Sequence, residues 1–272
     1  MGRTIAEQLE FKGTGLHSGA ECRVILSPSS EKGIRFKTEN GIYGISEAVV
    51  EEDQRLTGFV FPDGTKIRTA EHLLAAVSGM GIDDLLIESF GGEIPILDGS
   101  ASVFAEAISE TGCTGEKDRR VSAVSVPFCV DEGKRCVFAM PSDVLRITYI
   151  IDYSGTPIGV QKISYEINEK TFEETISRAR TFCLTAELDY LKANGLAQGG
   201  SLDCAMVFAQ DRMLNESGLR FPNECATHKV LDLMGDLTLL GVIPTAHYVA
   251  VCAGHAVHDK LVAKLKRALI FD

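Results

Sequence analysis

The segment His228-Lys-Val-Leu-Asp-Leu-Met-Gly-Asp-Leu237 sets a histidine and an aspartate four residues apart, 232 minus 228. On an α-helix this spacing brings both side chains to one face, one turn apart, and Asp236 extends the row by another turn. The rest of the segment is rich in Val, Leu and Met, and carboxylates buried in such company need a partner. Zinc would supply one, because imidazole nitrogen and carboxylate oxygen are both common zinc ligands. The alternative is a solvated helix face with a His–Asp hydrogen bond, and on spacing alone that reading stands ahead.

Glu71-His72 is a second candidate. A catalytic zinc usually takes three protein ligands and keeps a place for water. His72, His228 and Asp232 would complete that set, and Glu71 would then take a proton from the water. Against this, Glu71 could simply complement a helix N-terminus, with His72 an ordinary interface residue. His255 follows Gly254 at the end of an apolar stretch. It either presents its ring to a site, where a protonated imidazole stabilises an oxyanion or donates to a leaving amine, or lies in a surface turn. His17 belongs to a glycine-rich turn that is no phosphate loop, since no Gly-Lys-Ser/Thr follows. His247 reads as structural and His258 as exposed on the last helix.

These side chains need elements to hold them. Thr69 reads as the N-cap of a helix reaching about Ser78, with Leu73, Leu74 and Val77 on one face. Cys22–Ser27, Gly33–Lys37 and Leu85–Glu88 read as strands, and Ala101–Thr111 as a helix. Gly112–Arg120 is polar and reads as a linker. Beyond it the pattern restarts: strands at Val121–Val130, Lys134–Ala139 and Leu145–Ile151, then helices at Phe172–Ala179 and Ala186–Asn194. Thr69-Ala-Glu-His72 and Thr227-His228-Lys229 occupy parallel places, which suggests a duplicated α+β unit.

Composition narrows the function. With 38 acidic and 27 basic residues the net charge is −11, which opposes broad contact with nucleic acid or an anionic membrane surface. Hydrophobic residues at 45% and charged residues at 24% fit a globular chain rather than a disordered one. None of the eight cysteines forms a C-x-x-C pair, so a cysteine zinc site is not expected. No basic-then-apolar leader opens the chain; reduced cysteines and a cytoplasmic location are expected. Leu237–His258 contains no charged Asp, Glu, Lys or Arg. Gly241, Pro244, Thr245 and His247 interrupt it, so it reads as a helix end, a turn and a buried strand, His247–Cys252, rather than a transmembrane helix.

Taken together, several segments resemble the bacterial UDP-3-O-acyl-N-acetylglucosamine deacetylases of lipid A biosynthesis. They are Gly15-Leu-His-Ser-Gly19, Thr69-Ala-Glu-His72, Glu93-Ile-Pro-Ile-Leu-Asp-Gly-Ser100, Arg180-Thr-Phe182, Gly199-Gly-Ser-Leu202, His228 through Asp236, and Gly254-His255. They occur in the family's order over nearly the whole chain. The resemblance implies an α+β fold of two similar domains, residues 1–115 and 116–272. Each would be a small β-sheet with helices, packed as a sheet–helix–helix–sheet sandwich.

It further implies Zn2+ on His72, His228 and Asp232, with Glu71 as general base. His255 would be cationic and supported by Asp236, and Thr181 would donate its hydroxyl to the oxyanion. Lys229, Phe182 and Gly200 would meet the substrate, an acylated UDP-sugar losing its N-acetyl group as acetate. An insert over about 182–208, with Leu184, Leu188, Leu191, Leu196 and Leu202 as walls, would pass the acyl chain. The protein would be a monomer from a Gram-negative bacterium, with no transmembrane segment and no nucleic-acid partner. A different amide or ester substrate on the same zinc scaffold is the rival reading, and a non-catalytic binding protein a remoter one. Thr227 departs from the family, which often has Arg there.

Overall fold

The computed structural model describes residues 2–51, 56–116 and 123–268. In Glu21–Pro28 the side chains of Cys22, Val24 and Leu26 are buried while those between them are not. Burial of period two is what a strand with one covered face requires. This strand pairs antiparallel with Leu9–Thr14 on one side and Leu85–Phe90 on the other. Ile34–Lys37 lies parallel to Leu85–Phe90, and Ile42–Gly44 closes the edge.

A second five-stranded sheet repeats the plan. Its spatial order is Phe128–Asp131, Cys136–Met140, His247–Val251, Arg146–Tyr153, Gly159–Glu166. In both sheets the chain order runs first, second, fifth, third, fourth, and the one parallel pair joins the third strand to the fifth. The duplication expected from the two parallel histidine segments therefore exists as topology.

Among the described residues six helices accompany the sheets: α1 (Glu71–Gly79), α2 (Ser102–Thr111), α3 (Glu169–Glu174), α4 (Thr185–Ala193), α5 (Glu224–Thr238) and α6 (His255–Ala268). In each half one helix precedes the fifth strand, α1 or α5, and one follows it, α2 or α6. Phe11 of the first sheet meets Phe104 of α2 edge-on at 4.8 Å, and α5 and α6 pack on the second sheet. α1, α2, α5 and α6 thus lie between the sheets, in the expected sandwich. α1 is apolar nearly all round, as a helix covered on every side must be.

The two halves approach closely at Gly235. A Cβ there would fall 2.3 Å from the carbonyl oxygen of Glu71, so only glycine lets α5 cross the first turn of α1. That crossing brings Glu71 and His72 beside the His228–Asp236 row.

Several expectations shift. Thr69 does not cap α1: its φ is +54° and its hydroxyl donates to Glu93 Oε1 at 2.7 Å, so the helix begins at Glu71. The strand expected over Val121–Val130 is only Phe128–Asp131, starting past Pro127, which lacks a ladder donor; residues 121 and 122 lie outside the described ones, as do 117–120 of the expected linker. The helix expected at Phe172–Ala179 opens earlier, at Glu169. Asn168 caps it by accepting from Thr171 N at 2.9 Å, and Thr175, at φ −132° and ψ −61°, separates it from a 3-10 turn at Ile176–Arg178. Leu9–Thr14 and Gly159–Glu166, strands of alternating exposed residues, escape sequence reading. The uncharged stretch resolves into the end of α5, a turn, strand His247–Val251 and the start of α6; among the described residues no helix is long and apolar enough to cross a membrane. The insert is a strand–helix–strand unit, with Phe182–Leu184 and Met206–Phe208 paired in parallel and joined through α4.

Candidate active site

Because α5 runs between the second sheet and α1, all its residues except Lys229 are buried. His228 and Asp232 are each 2% exposed and Asp236 is fully buried, so the solvated helix face does not occur. His228 Nε2 lies 3.2 Å from Asp232 Oδ1, and His72 Nε2 reaches the same oxygen from α1 at 4.0 Å. The two imidazoles stand perpendicular, with centroids 5.0 Å apart. One donor atom from each of the three residues lies within 4.8 Å of the others.

The protonation states suit a cation. Burial, then the neighbouring His228, pushes His72 down to about 3, and burial lowers His228 as well, so both rings are neutral. His228 Nδ1 is 3.0 Å from the carbonyl oxygen of Ala179, to which it donates, leaving the Nε2 lone pair aimed at the cluster. Burial alone would raise Asp232, but His228, Lys229 and the other histidines hold it well below the usual carboxylate range. His72 makes no hydrogen bond among the described residues, and its Nδ1 is buried. A buried imidazole left like this costs free energy unless another group takes its lone pair. Two neutral imidazoles and a carboxylate, open on one side to a cavity, fit a divalent metal of the zinc type.

One turn further along α5 a second cluster forms. Asp236 Oδ2 lies 2.9 Å from His255 Nδ1 and 2.7 Å from His258 Nδ1, while its Oδ1 accepts the Thr57 hydroxyl. Burial works against a charged His255, but Asp236 outweighs it and raises the imidazolium to about 10. His255 Nε2 faces Glu71 Oε1 and Asp232 Oδ2, each at 3.9 Å. Glu71 is pushed up to about 7, chiefly by burial, with His255 pulling the other way; its Oε2 accepts from Thr57 N at 3.2 Å. His258 is fully buried, not exposed. Its position fits the buried row that continues through Leu261, Val262 and Leu265, a periodicity that sequence reading overlooked.

Both clusters border one cavity of about 530 Å³, lined by nine of the ten expected site residues; Asp236 stands behind them. Its lining joins Glu71, His72, His228, Lys229, Asp232 and His255 to the apolar Leu188, Leu191, Leu202, Ala205, Val207 and Leu214. Leu184 and Leu196 do not line it. Thr181 and Phe182 belong to the wall as well, the former anchored by its N–H to Gly99 O at 2.7 Å. Lys229 Nζ bonds Asp232 Oδ2 at 2.8 Å and lies 5.6 Å from the Phe182 ring centroid. Gly200 keeps its strand of wall thin, since a Cβ there would come within 3.2 Å of Ala197 O.

His17, read only as a turn residue, also lines the cavity. Glu93 fixes its loop by accepting from His17 N and Ser18 N at 2.9 and 3.0 Å. Thr227 is fully buried and satisfied, its hydroxyl 3.1 Å from both Asn223 O and Tyr165 OH. Thr57 and Tyr149 carried no sequence signal, since both reach the site from elsewhere in the chain.

Comparison with known proteins agrees with this geometry. The family model described as LpxC, UDP-3-O-acyl N-acetylglycosamine deacetylase, matches residues 2–267. The UDP-3-O-acyl-N-acetylglucosamine deacetylase of Syntrophotalea carbinolica is 40% identical over 267 residues, covering 96% of this chain and 86% of that protein. Its namesake in Oleidesulfovibrio alaskensis is 39% identical over 263 residues, 94% of this chain and 86% of its own length. A third, from a Nitratiruptor species, is 38% identical over 267 residues, 97% and 89% of the two chains.

Proposed function

The chain belongs to the UDP-3-O-acyl N-acetylglycosamine deacetylase family, and on that premise we propose how its cavity performs the reaction. The enzyme hydrolyses the acetamide of UDP-3-O-acyl-N-acetylglucosamine to the free amine and acetate, a step of lipid A biosynthesis. In our reading His72, His228 and Asp232 hold Zn2+. Bound there, the metal would supply a Lewis acid that polarises the amide carbonyl and makes water more acidic.

The chain's own groups then divide the proton work. Glu71, with an acidity near neutral, takes the proton from the attacking water. His255 stays an imidazolium beside it and faces the place where negative charge develops, then the leaving nitrogen. Asp236 holds the far nitrogen of His255 and so directs its Nε2. Thr181 offers a hydroxyl to the oxyanion from the opposite wall. Lys229, Phe182 and Gly200 border the sugar, and the apolar arm along Leu188, Leu191 and Leu202 takes the acyl chain.

The observation that carries this reading is the meeting of α1 and α5 at Gly235. It brings the three groups proposed as ligands beside Glu71 and His255, on the wall of one cavity that also has apolar lining. Residues 1–115 and 116–272 act as two domains supplying opposite walls, as their shared strand order suggests. We take the enzyme as a cytoplasmic monomer of a Gram-negative bacterium; its eight unbridged cysteines fit a reducing compartment.

The test is acetate release from the UDP-linked acyl sugar, with metal analysis of the same preparation. Turnover should vanish with a strong chelator and return with zinc. Full turnover without metal would overturn the metal assignment, and zinc-dependent hydrolysis of other amides but not this one would overturn the substrate.

A further inference from the structure

Three buried polar residues around Asp236 have no part in the reaction as described: Thr57, Tyr149 and His258. His258 lies one turn past His255 on α6, and both present Nδ1 to the same oxygen, Asp236 Oδ2. An ionised carboxylate can only accept, so both Nδ1 atoms carry protons. His258 Nε2 sits 2.9 Å from the Tyr149 hydroxyl. Burial lowers the basicity of His258, with Asp236 pulling the other way. The Tyr149 hydroxyl donates to Ala253 O at 2.9 Å, which anchors its oxygen beside that ring nitrogen.

The ring is thus held at both nitrogens, with Nε2 beside the Tyr149 oxygen and Nδ1–H donating to Asp236 Oδ2. With the Thr57 hydroxyl on Oδ1, the carboxylate is held by donors on both of its oxygens. Its rotation would swing the acceptor of His255 Nδ1, and with it the Nε2 that faces Glu71 and Asp232. Misplacement of such a group by about 1 Å costs on the order of 100-fold in rate.

We propose that His258 is a positioning residue for deacetylation, donating to Asp236 Oδ2 and so fixing the carboxylate that aims His255 into the cavity. The inference rests on the deacetylase reading above. It deepens that reading by giving a task to a residue three positions from the cation.

Amide substitutions separate the two ring nitrogens. His258→Asn puts an N–H near the place of Nδ1, within reach of Asp236. His258→Gln puts it near Nε2, toward Tyr149, and His258→Leu fills the space with no donor. Acetate release is measured for each beside the parent protein, with metal content and thermal melting. Leu and Gln should lose roughly 10-fold or more in kcat at unchanged KM and metal content, while Asn recovers to within about 3-fold of the parent. The Gln variant serves where Leu does not fold. Equal rates for Asn and Gln, a parental rate in Leu and Gln, or losses that follow the folded or metal-loaded fraction would each overturn the proposal. A parent that releases no acetate would instead overturn the deacetylase reading itself.

Discussion

The site holds two clusters of the same composition, two histidines and an aspartate, one turn apart on α5 and all buried. Around Asp232 the nitrogen–oxygen separations are 3.2 and 4.0 Å, and His72 has no hydrogen bond among the described residues. Around Asp236 they are 2.9 and 2.7 Å, and protons close each gap. One cluster leaves lone pairs pointing at a shared space; the other has spent them. Identical residue types thus suit a metal or a proton-bearing support according to whether the rings approach the carboxylate through N–H groups. The clusters also differ in charge. Burial keeps both imidazoles of the first neutral, whereas Asp236 is strong enough to keep His255 cationic.

The sharpest break of this comparison is one substitution made in both places. Asp232→Asn should remove most bound metal and with it nearly all acetate release, a loss beyond the roughly 100-fold expected of an outer partner. Asp236→Asn should keep the metal and lose kcat, because a neutral amide cannot hold His255 as a cation. Metal analysis of the two purified variants decides it: equal metal loss in both would erase the distinction. Next in size, Glu71→Ala should retain the metal and lose turnover by about 10²–10⁴-fold, since it removes the base and no ligand. Near-parental kcat in that variant would end Glu71's assigned role.

A smaller effect is the pH profile. Glu71 must be ionised, so activity rises as pH climbs through its acidity near 7, or through a lower value when a bound cation favours the carboxylate. His255 must stay protonated, so activity falls as pH climbs past about 10. His255→Gln should flatten the alkaline limb and leave the acid limb in place. If the acid limb were the one to disappear, the two roles would have to be exchanged.

How much of this was legible beforehand depends on distance along the chain. His228 and Asp232 announce themselves because a helix converts a spacing of four into adjacency. His72 comes from another helix, so no spacing joins it to them; the third ligand a catalytic zinc needs suggests it, and the resemblance implies it. Thr57 meets Asp236 across 179 positions, and no local pattern encodes such a meeting. His258 was legible in principle, being in register with Leu261 and Leu265, but a polar residue near a helix start draws the eye to solvent. Thr69 was misread because a good capping residue was taken by Glu93 instead. The repeated strand order was hidden for a different reason: topology is kept by which faces are apolar, and many residues satisfy that equally well.

The smallest predicted effect lies outside both clusters, in the apolar arm. Leu202 lines that arm yet is 49% exposed, so changing it should barely affect folding. Leu202→Asn removes apolar surface from the path of the acyl chain. At about 25 cal/mol per Å², losing part of a leucine's contact area is worth about 1 kcal/mol, or roughly 5-fold in KM. Because neither cluster moves, kcat should hold. A substrate with a shortened acyl group never reaches Leu202, so parent and variant should then have the same KM. A KM rise that persisted with the short substrate would place Leu202 at the sugar or nucleotide instead, and the arm would lose its claim to the chain. Uniform binding in the arm and selective stabilisation at the two clusters are separable only in this way, because the first moves KM alone and the second moves kcat.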